Sequence, residues 1–437
     1  MTAQIRFLWA RLNANYWFYP ALFSVLAALL AFAMIWLDRS GWAEALNREG
    51  WIIPARPQGA TNMLNVMAGS MIGVASTVFS ITLVAVTYAS GTYGPRLLTN
   101  FMEDRGNQLS LATFIASFVY ALIVLRSVRA EDETAAAGAA ADALPGFVPQ
   151  LSLLVAYALM ALCVAVLVYF LNHVPSSIRI NTVLKEIAGR LLRIIRETYP
   201  VEESIVDARP QESGEPLCAT GTGYVQLIDL EGLTALAREH DCTVSLKVRT
   251  GDFIHRDLPL LEVTGDLPEA CEQDLRDCFT LGPSRTPEQD PQFLIDELVE
   301  IGLRALSPGI NDPFTAITAL HWLGAATAEI GRRDLRKQID DEDDPDRCPV
   351  IPLPDDFAHY LSRGFGSIRS AVATSPIAAE VMLDTLANAA QAVGNPGRRA
   401  LLHDEGMRLG EQALIALAGP DREALREKLK AFDARFA

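Results

Sequence analysis

Met63–Ser90 reads MLNVMAGSMIGVASTVFSITLVAVTYAS, an apolar run without a single charge. It exceeds the ~20 apolar residues that a helix needs to cross a bilayer. At 1.5 Å per residue it would make a helix of ~42 Å against ~30 Å of hydrocarbon, so it must tilt or extend past the membrane. One side of it is small and hydroxylated. Ser70, Gly73, Thr77, Ser80 and Thr87 recur at helical spacing and share a face. Two readings fit that stripe. Small residues let a second helix approach closely in lipid, and a small polar face can line a water-filled path for ions or small solutes. The missing mid-membrane carboxylate or base counts against a coupled transporter, whereas a passive pore needs none.

Three further segments approach or reach spanning length: Tyr16–Leu37, Leu109–Leu125 and Leu151–Leu171. The first is too long for a cleavable leader and lacks a small-residue cleavage pattern. Its Trp17, Tyr19 and Trp36 suit the membrane–water interface. Loop charges orient the spans. Arg6 and Arg11 precede the first, Arg96 and Arg105 lie between the second and third, and Arg179, Lys185, Arg190, Arg193 and Arg196 follow the fourth. The other two loops, Asp38–Arg56 and Arg126–Asp142, are mixed or acidic. Positive loops stay inside, so both termini are expected in the cytoplasm of a bacterial inner membrane.

The charge distribution divides the chain at the same place. The first 172 residues hold nine arginines, no lysine and nine acids, so the whole net charge of −16 falls on the remainder, with all six histidines. That is the pattern of a membrane domain joined to an acidic soluble one. An acidic soluble part argues against nucleic acid as a partner, since phosphate binding needs an excess of Lys and Arg. The six cysteines show no CxxC pairing and read as reduced thiols. Cys271 and Cys278, seven apart, are expected on one face of a helix.

After Pro175, the apolar positions Ile180, Val183, Leu184, Ile187, Leu191, Ile194 and Ile195 predict an amphipathic helix. It could lie on headgroups, pair as a stalk between subunits, or pack on its own domain. Pro200–Pro216 reads as a linker. GYVQLID, CTVSLKV and LPLLEV then predict strands around the short helix LEGLTALAREH. Beyond Pro283 the chain is helical. One helix runs to Leu306, Ser307-Pro308-Gly309 stops it, and Asn311 or Asp312 caps another with Pro313 in its first position. Arg304, Ser307, Asn311 and Asp312 thus gather at a tight turn. Its exposed N–H groups could hold an anion with Arg304 or Arg285, although capping alone accounts for the two acceptors. The acidic run Asp340–Asp346 lacks the spacing of a calcium loop. Helices punctuated by Ser375-Pro376, Gly394–Gly397 and Gly419-Pro420 close the chain.

The expected architecture is therefore an α-helical membrane domain of four transmembrane helices (1–172), followed by a juxtamembrane helix and linker (173–216). A small α+β module (217–282) and a mainly helical cytosolic domain with a C-terminal bundle (283–437) complete it. No Walker loop, GxSxG elbow, HExxH or paired CxxC occurs, so neither an enzyme nor a cofactor or metal site is expected. The expected partners are the lipid bilayer and further copies of the chain, with any ion or small-molecule ligand open. Two functions compete: a channel-like passive transport protein with a cytosolic regulatory domain, and a membrane-anchored sensor or scaffold that binds a ligand at the Arg304–Asp312 turn.

The strings SMIGVASTVFSITLVAVTYASGTYGPRLL (Ser70–Leu98), GYVQLID (Gly223–Asp229) and IGLRALSPGINDPFTAITAL (Ile301–Leu320) resemble a bacterial family of predicted membrane proteins, domain of unknown function 2254. The resemblance implies four spans and a cytosolic domain, and it supplies no catalytic residues.

Overall fold

Four helices long and apolar enough to cross a membrane occupy the first part of the computed structural model: α1 (Phe18–Arg39), α2 (Pro57–Tyr93), α3 (Arg105–Ser127) and α4 (Gln150–Ser177). The structure describes residues 15–40, 55–94, 104–129, 147–201, 212–265, 268, 271–335 and 348–436. Arg6, Arg11, Arg96, the alanine-rich loop after Arg129 and the acidic run 340–346 lie outside the described residues. The chain divides into a unit built on these four helices and a second unit that runs from residue 180 onward.

In the first unit α2 is one unbroken helix of 37 residues, longer than its uncharged core alone requires. It stops at Gly94, whose φ of +139° is open to glycine and rarely to other residues. Leu64, Met67, Met71, Ala75 and Val78 of α2 are buried in one cluster with Ala27, Ala31 and Ile35 of α1, Phe114, Tyr120 and Val124 of α3, and Ala156, Cys163 and Phe170 of α4. Steps of three and four residues put these five α2 side chains on one face, which is what makes it a packing face.

Polar side chains fasten the helix ends. Asp38, at the end of α1, accepts hydrogen bonds from the backbone N–H of Leu151 (2.8 Å) and Ser152 (3.0 Å) and from the Ser152 hydroxyl (2.7 Å). It thus satisfies N–H groups that the first turn of α4 leaves without helical partners. Gln150 pairs with both backbone groups of Ala55 just before α2. The Tyr120 hydroxyl donates to the Ser152 carbonyl at 3.0 Å. At its other end α4 continues through Pro175 to Ser177 and breaks at Ile178, so the following helix starts later than the proline suggests. Proline forfeits one hydrogen bond there, which costs little in a last turn that is already fraying.

The second unit begins with α5 (Ile180–Thr198). Val183, Leu184, Ile187, Leu191 and Ile195 form its buried face, packed on α8 (Pro291–Ala305) and α9 (Pro313–Gly331). Of the three readings of this amphipathic helix, packing on its own unit is the one that accounts for the apolar face.

The strands follow in two sheets. β1 (Glu215–Cys218), β5 (Pro259–Thr264), β3 (Thr243–Leu246) and β7 (Val350–Ile351) lie side by side in that order, with only the β3–β7 pair parallel. β4 (Phe253–Ile254), β2 (Gly223–Ile228) and β6 (Phe279–Gly282) form an antiparallel second sheet. Helix α6 (Leu230–Glu239) contributes Leu233 and Ala237 to the core between them. The first sheet takes its last strand from beyond residue 282, because Val350 fills the edge beside Val244. The helix expected to carry both Cys271 and Cys278 is only α7 (Glu272–Asp277). The two cysteines flank it as its end residues, and the chain turns directly into β6.

The remaining helices are α10 (Phe357–Leu361), α11 (Ser367–Val372), α12 (Pro376–Gln391), α13 (Pro396–Ala416) and α14 (Gly419–Asp433). A π-helical turn, Ser362–Gly366, joins α10 to α11. Four apolar helices followed by a mixed sheet-and-helix region with a helical end is the expected order of elements.

Candidate functional site

The small polar face of α2 points away from its own bundle. Ser70, Gly73, Thr77, Ser80 and Thr87 are all exposed, and so are Gly69 and Ser76 beside them. Each hydroxyl is satisfied within the helix. Ser70 donates to the Val66 carbonyl (2.6 Å), Thr77 to Gly73 (3.0 Å), Ser80 to Ser76 (2.9 Å) and Thr87 to Leu83 (2.8 Å). Such back-bonding removes most of the penalty for placing a hydroxyl in lipid or against another helix. A Cβ added at Gly69 or Gly73 would meet nothing within 4 Å. The glycines are therefore not required by contacts inside the chain.

A second cluster joins the start of α3 to the end of α4. Asp104 caps α3 by accepting from the Gly106 N–H at 2.8 Å, and its other interactions reach His173. His173 Nε2 lies 2.8 and 3.0 Å from the two carboxylate oxygens, and its Nδ1 lies 3.2 Å from the Tyr169 hydroxyl, stacked ring on ring. Gly106 makes room for this, since a Cβ there would collide with the imidazole and sit 2.7 Å from the Tyr169 hydroxyl. Asp104 and His173 are 69 positions apart, which is why motif spacing did not pair them. Their positions flanking the third and fourth spans were the available signal.

In the second unit the turn between α8 and α9 has the expected form. Asp312 caps α9 through the Thr315 N–H (3.2 Å) and hydroxyl (2.6 Å). Asn311 takes a left-handed φ of 51°. The Ser307 hydroxyl donates to the Arg304 carbonyl, and Arg304 lies 3.7 Å from Glu300. Arg285 does not join them. Its guanidinium grips Asp290 (Nε, 2.7 Å; Nη2, 2.6 Å) and Asp296 (Nη1, 2.6 Å), and it is nearly buried. Asp312 therefore serves as a cap and Arg285 as a structural cation, which leaves Arg304, beside Glu300, as the cation at this turn.

Arg285 instead belongs to a buried ionic network. Arg363, on the π-helical turn, binds Asp296 with two bonds of 2.7 Å, so Asp296 bridges two guanidinium groups. Burial pushes the Asp290 carboxyl up, and Arg285 opposes it. Alongside, the buried Tyr199 hydroxyl donates to Asp355 at 2.5 Å and meets the Tyr360 hydroxyl at 2.8 Å, while Arg249 lies 3.0 Å from Asp355. These contacts tie α5, the sheet region and the C-terminal helices into one body. Every charge here answers another, as stability in a low-dielectric interior demands.

No solved structure matches the chain. An uncharacterised protein of Mycobacterium bovis and one of Mycobacterium tuberculosis are each 29% identical over 364 residues, covering 80% of this chain and 67% of theirs. A family model described as predicted membrane protein, DUF2254, matches residues 13–388, which take in the four apolar helices, the sheets and the α8–α9 turn. The chain belongs to that family of predicted membrane proteins.

Proposed function

We propose that the chain is a homo-oligomeric, channel-like protein of the bacterial inner membrane, with both termini in the cytoplasm. The outward face of α2 meets its counterparts there and lines a passive path for ions or small solutes, and the second unit regulates it. The supporting observation is the exposure of Ser70, Gly73, Thr77, Ser80 and Thr87, beside exposed Ile72, Phe79, Val84 and Tyr88, while Leu64, Met67, Met71 and Val78 fill the chain's own core. The core of one bundle, closed by Phe114, Tyr120 and Phe170, leaves the path to run between subunits.

Gly73 makes the test clean, because a side chain there has free space in the single chain. Protein carrying Gly73→Trp should fold as the wild type does, yet lose its assembly or its flux in liposomes. A wild-type sample that is monomeric in lipid, or assembled and impermeable to ions and small solutes, rules the proposal out.

A further inference from the structure

The turn that closes α8 and opens α9 carries three exposed apolar side chains: Leu303 (38% exposed), Ile310 (44%) and Phe314 (72%). A soluble domain gains nothing by presenting a phenylalanine to water at the tip of a tight turn. The turn itself is held firmly, with Asp312 N–H on the Ala305 carbonyl at 2.7 Å and Asn311 N–H on Ser307 at 2.9 Å. Its apolar side chains are thus displayed on a rigid support.

The fold of this unit places that tip at one particular end. Helices α5 and α9 have nineteen residues each and pack together. Their C-termini are joined: Arg196 Nε lies 3.3 Å from Glu329, and Arg333 donates to the Tyr199 carbonyl at 2.7 Å. Packed helices of equal length whose C-termini coincide run in the same direction. The start of α9, with Phe314, is then level with the start of α5. Ile180 opens α5 only three residues after Ser177 ends α4, an apolar helix of spanning length. The apolar tip therefore lies at the end of the unit where the chain leaves the membrane. Lys185, in the second turn of α5, is exposed at that same end, the charge expected beside anionic headgroups.

We propose that the Leu303–Ile310–Phe314 tip inserts into the lipid surface, a second membrane contact besides the spans. Apolar side chains at the headgroup–acyl boundary bind in proportion to the area they bury, and nearby cations add attraction to anionic lipid. The proposal rests on the membrane location of the chain and is independent of whether α2 lines a pore.

The test uses full-length protein in nanodiscs of phosphatidylethanolamine and phosphatidylglycerol, with half-exposed Cys218, Cys271 and Cys348 replaced by serine. A nitroxide is attached at Phe314→Cys, at Ile310→Cys, and at Glu423→Cys on exposed α14 as the aqueous reference. Collisions with oxygen and with a water-soluble nickel chelate are measured at each. Insertion in lipid predicts severalfold fewer chelate collisions and more oxygen collisions at 314 and 310 than at 423. Chelate access equal to that at 423 places the tip in water and overturns the proposal. Protection from both quenchers places it against protein, either this chain's own or a second copy, and overturns it equally. Two labelled positions guard against one substitution that disturbs the turn.

Discussion

Asp38 holds Ser152 twice, accepting its backbone N–H at 3.0 Å and its hydroxyl at 2.7 Å, across 114 positions of sequence. A carboxylate at the end of one apolar helix thus caps the beginning of another. The favourable end of a helix dipole and the charge-assisted bonds act together there, in a place with little water.

Removing that cap should loosen the bundle. Asp38→Ala leaves the Leu151 and Ser152 N–H groups unpaired and should cost about 3 kcal/mol, while Ser152→Ala, which removes one bond, should cost about 1 kcal/mol. Thermal unfolding of detergent-solubilised protein measures both. Equal, negligible losses would show that the junction carries no stability.

The Asp104–His173 junction makes a similar prediction from a glycine. Gly106→Ala drives a methyl group into the imidazole and the Tyr169 hydroxyl, so it should destabilise the protein by roughly 2 kcal/mol even though alanine is the better helix former. His173→Ala should lose a similar amount. The double variant should then lose much less than the sum, because the alanine at 106 has no imidazole left to displace. Melting temperatures of the four proteins decide it.

Acid should weaken the second unit through Glu329. Burial alone would raise its carboxyl, but Arg333, Arg332 and Arg196 outweigh that and hold it below the usual range. A carboxyl lowered on folding contributes stability in full above its unfolded value of about 4.3, and loses it as pH falls through the folded value. Stability measured between about pH 3 and 7 should therefore drop on the acid side, and Glu329→Gln should flatten that limb. A variant with an unchanged acid limb would exclude Glu329 as its source.

Thiol chemistry should separate the cysteines into two groups. Burial, with Asp229, Asp277 and Asp274 nearby, pushes the Cys278 thiol up to about 12, leaving negligible thiolate at neutral pH. Cys242 is raised for the same first reason, burial. In folded protein a maleimide should modify the half-exposed Cys218, Cys271 and Cys348 and spare Cys163, Cys242 and Cys278 until denaturant is added. Peptide mass mapping reads the pattern, and rapid native labelling of Cys278 would contradict the burial described.

Much of the architecture was legible along the chain. Apolar length located the four helices long enough to cross a membrane, and Pro313 after Asp312 marked the start of α9, because helix length and capping are set by neighbours within a few residues. The strands GYVQLID and LPLLEV were readable for the same reason. β7 was not recognisable as part of the sheet, since two residues owe their strand conformation to Val244 and Ser245 across the ladder. The brevity of α7 was hidden likewise. Its six residues look helical alone, but the pull of β6 on Phe279 decides where they stop.

The candidate sites divide in the same way. That Ser70, Gly73, Thr77, Ser80 and Thr87 share one face follows from the 3.6-residue period, a property of the local chain. Which way that face points depended on the larger residues opposite, Leu64, Met67, Met71 and Val78, finding room among three other helices. Arg285 was equally undecidable from its neighbours. An arginine near a turn is a potential anion ligand until Asp290 and Asp296 close on its guanidinium. The sequence alone determined this protein's four long apolar helices, the cap at Asp312 and the division of charge, because each is written in residues a few positions apart. Only the tertiary structure decided that Asp38 serves Ser152, that Asp104 serves His173, and that the small face of α2 looks outward. Charges and faces choose partners by distance in space, and the folded chain alone sets those distances.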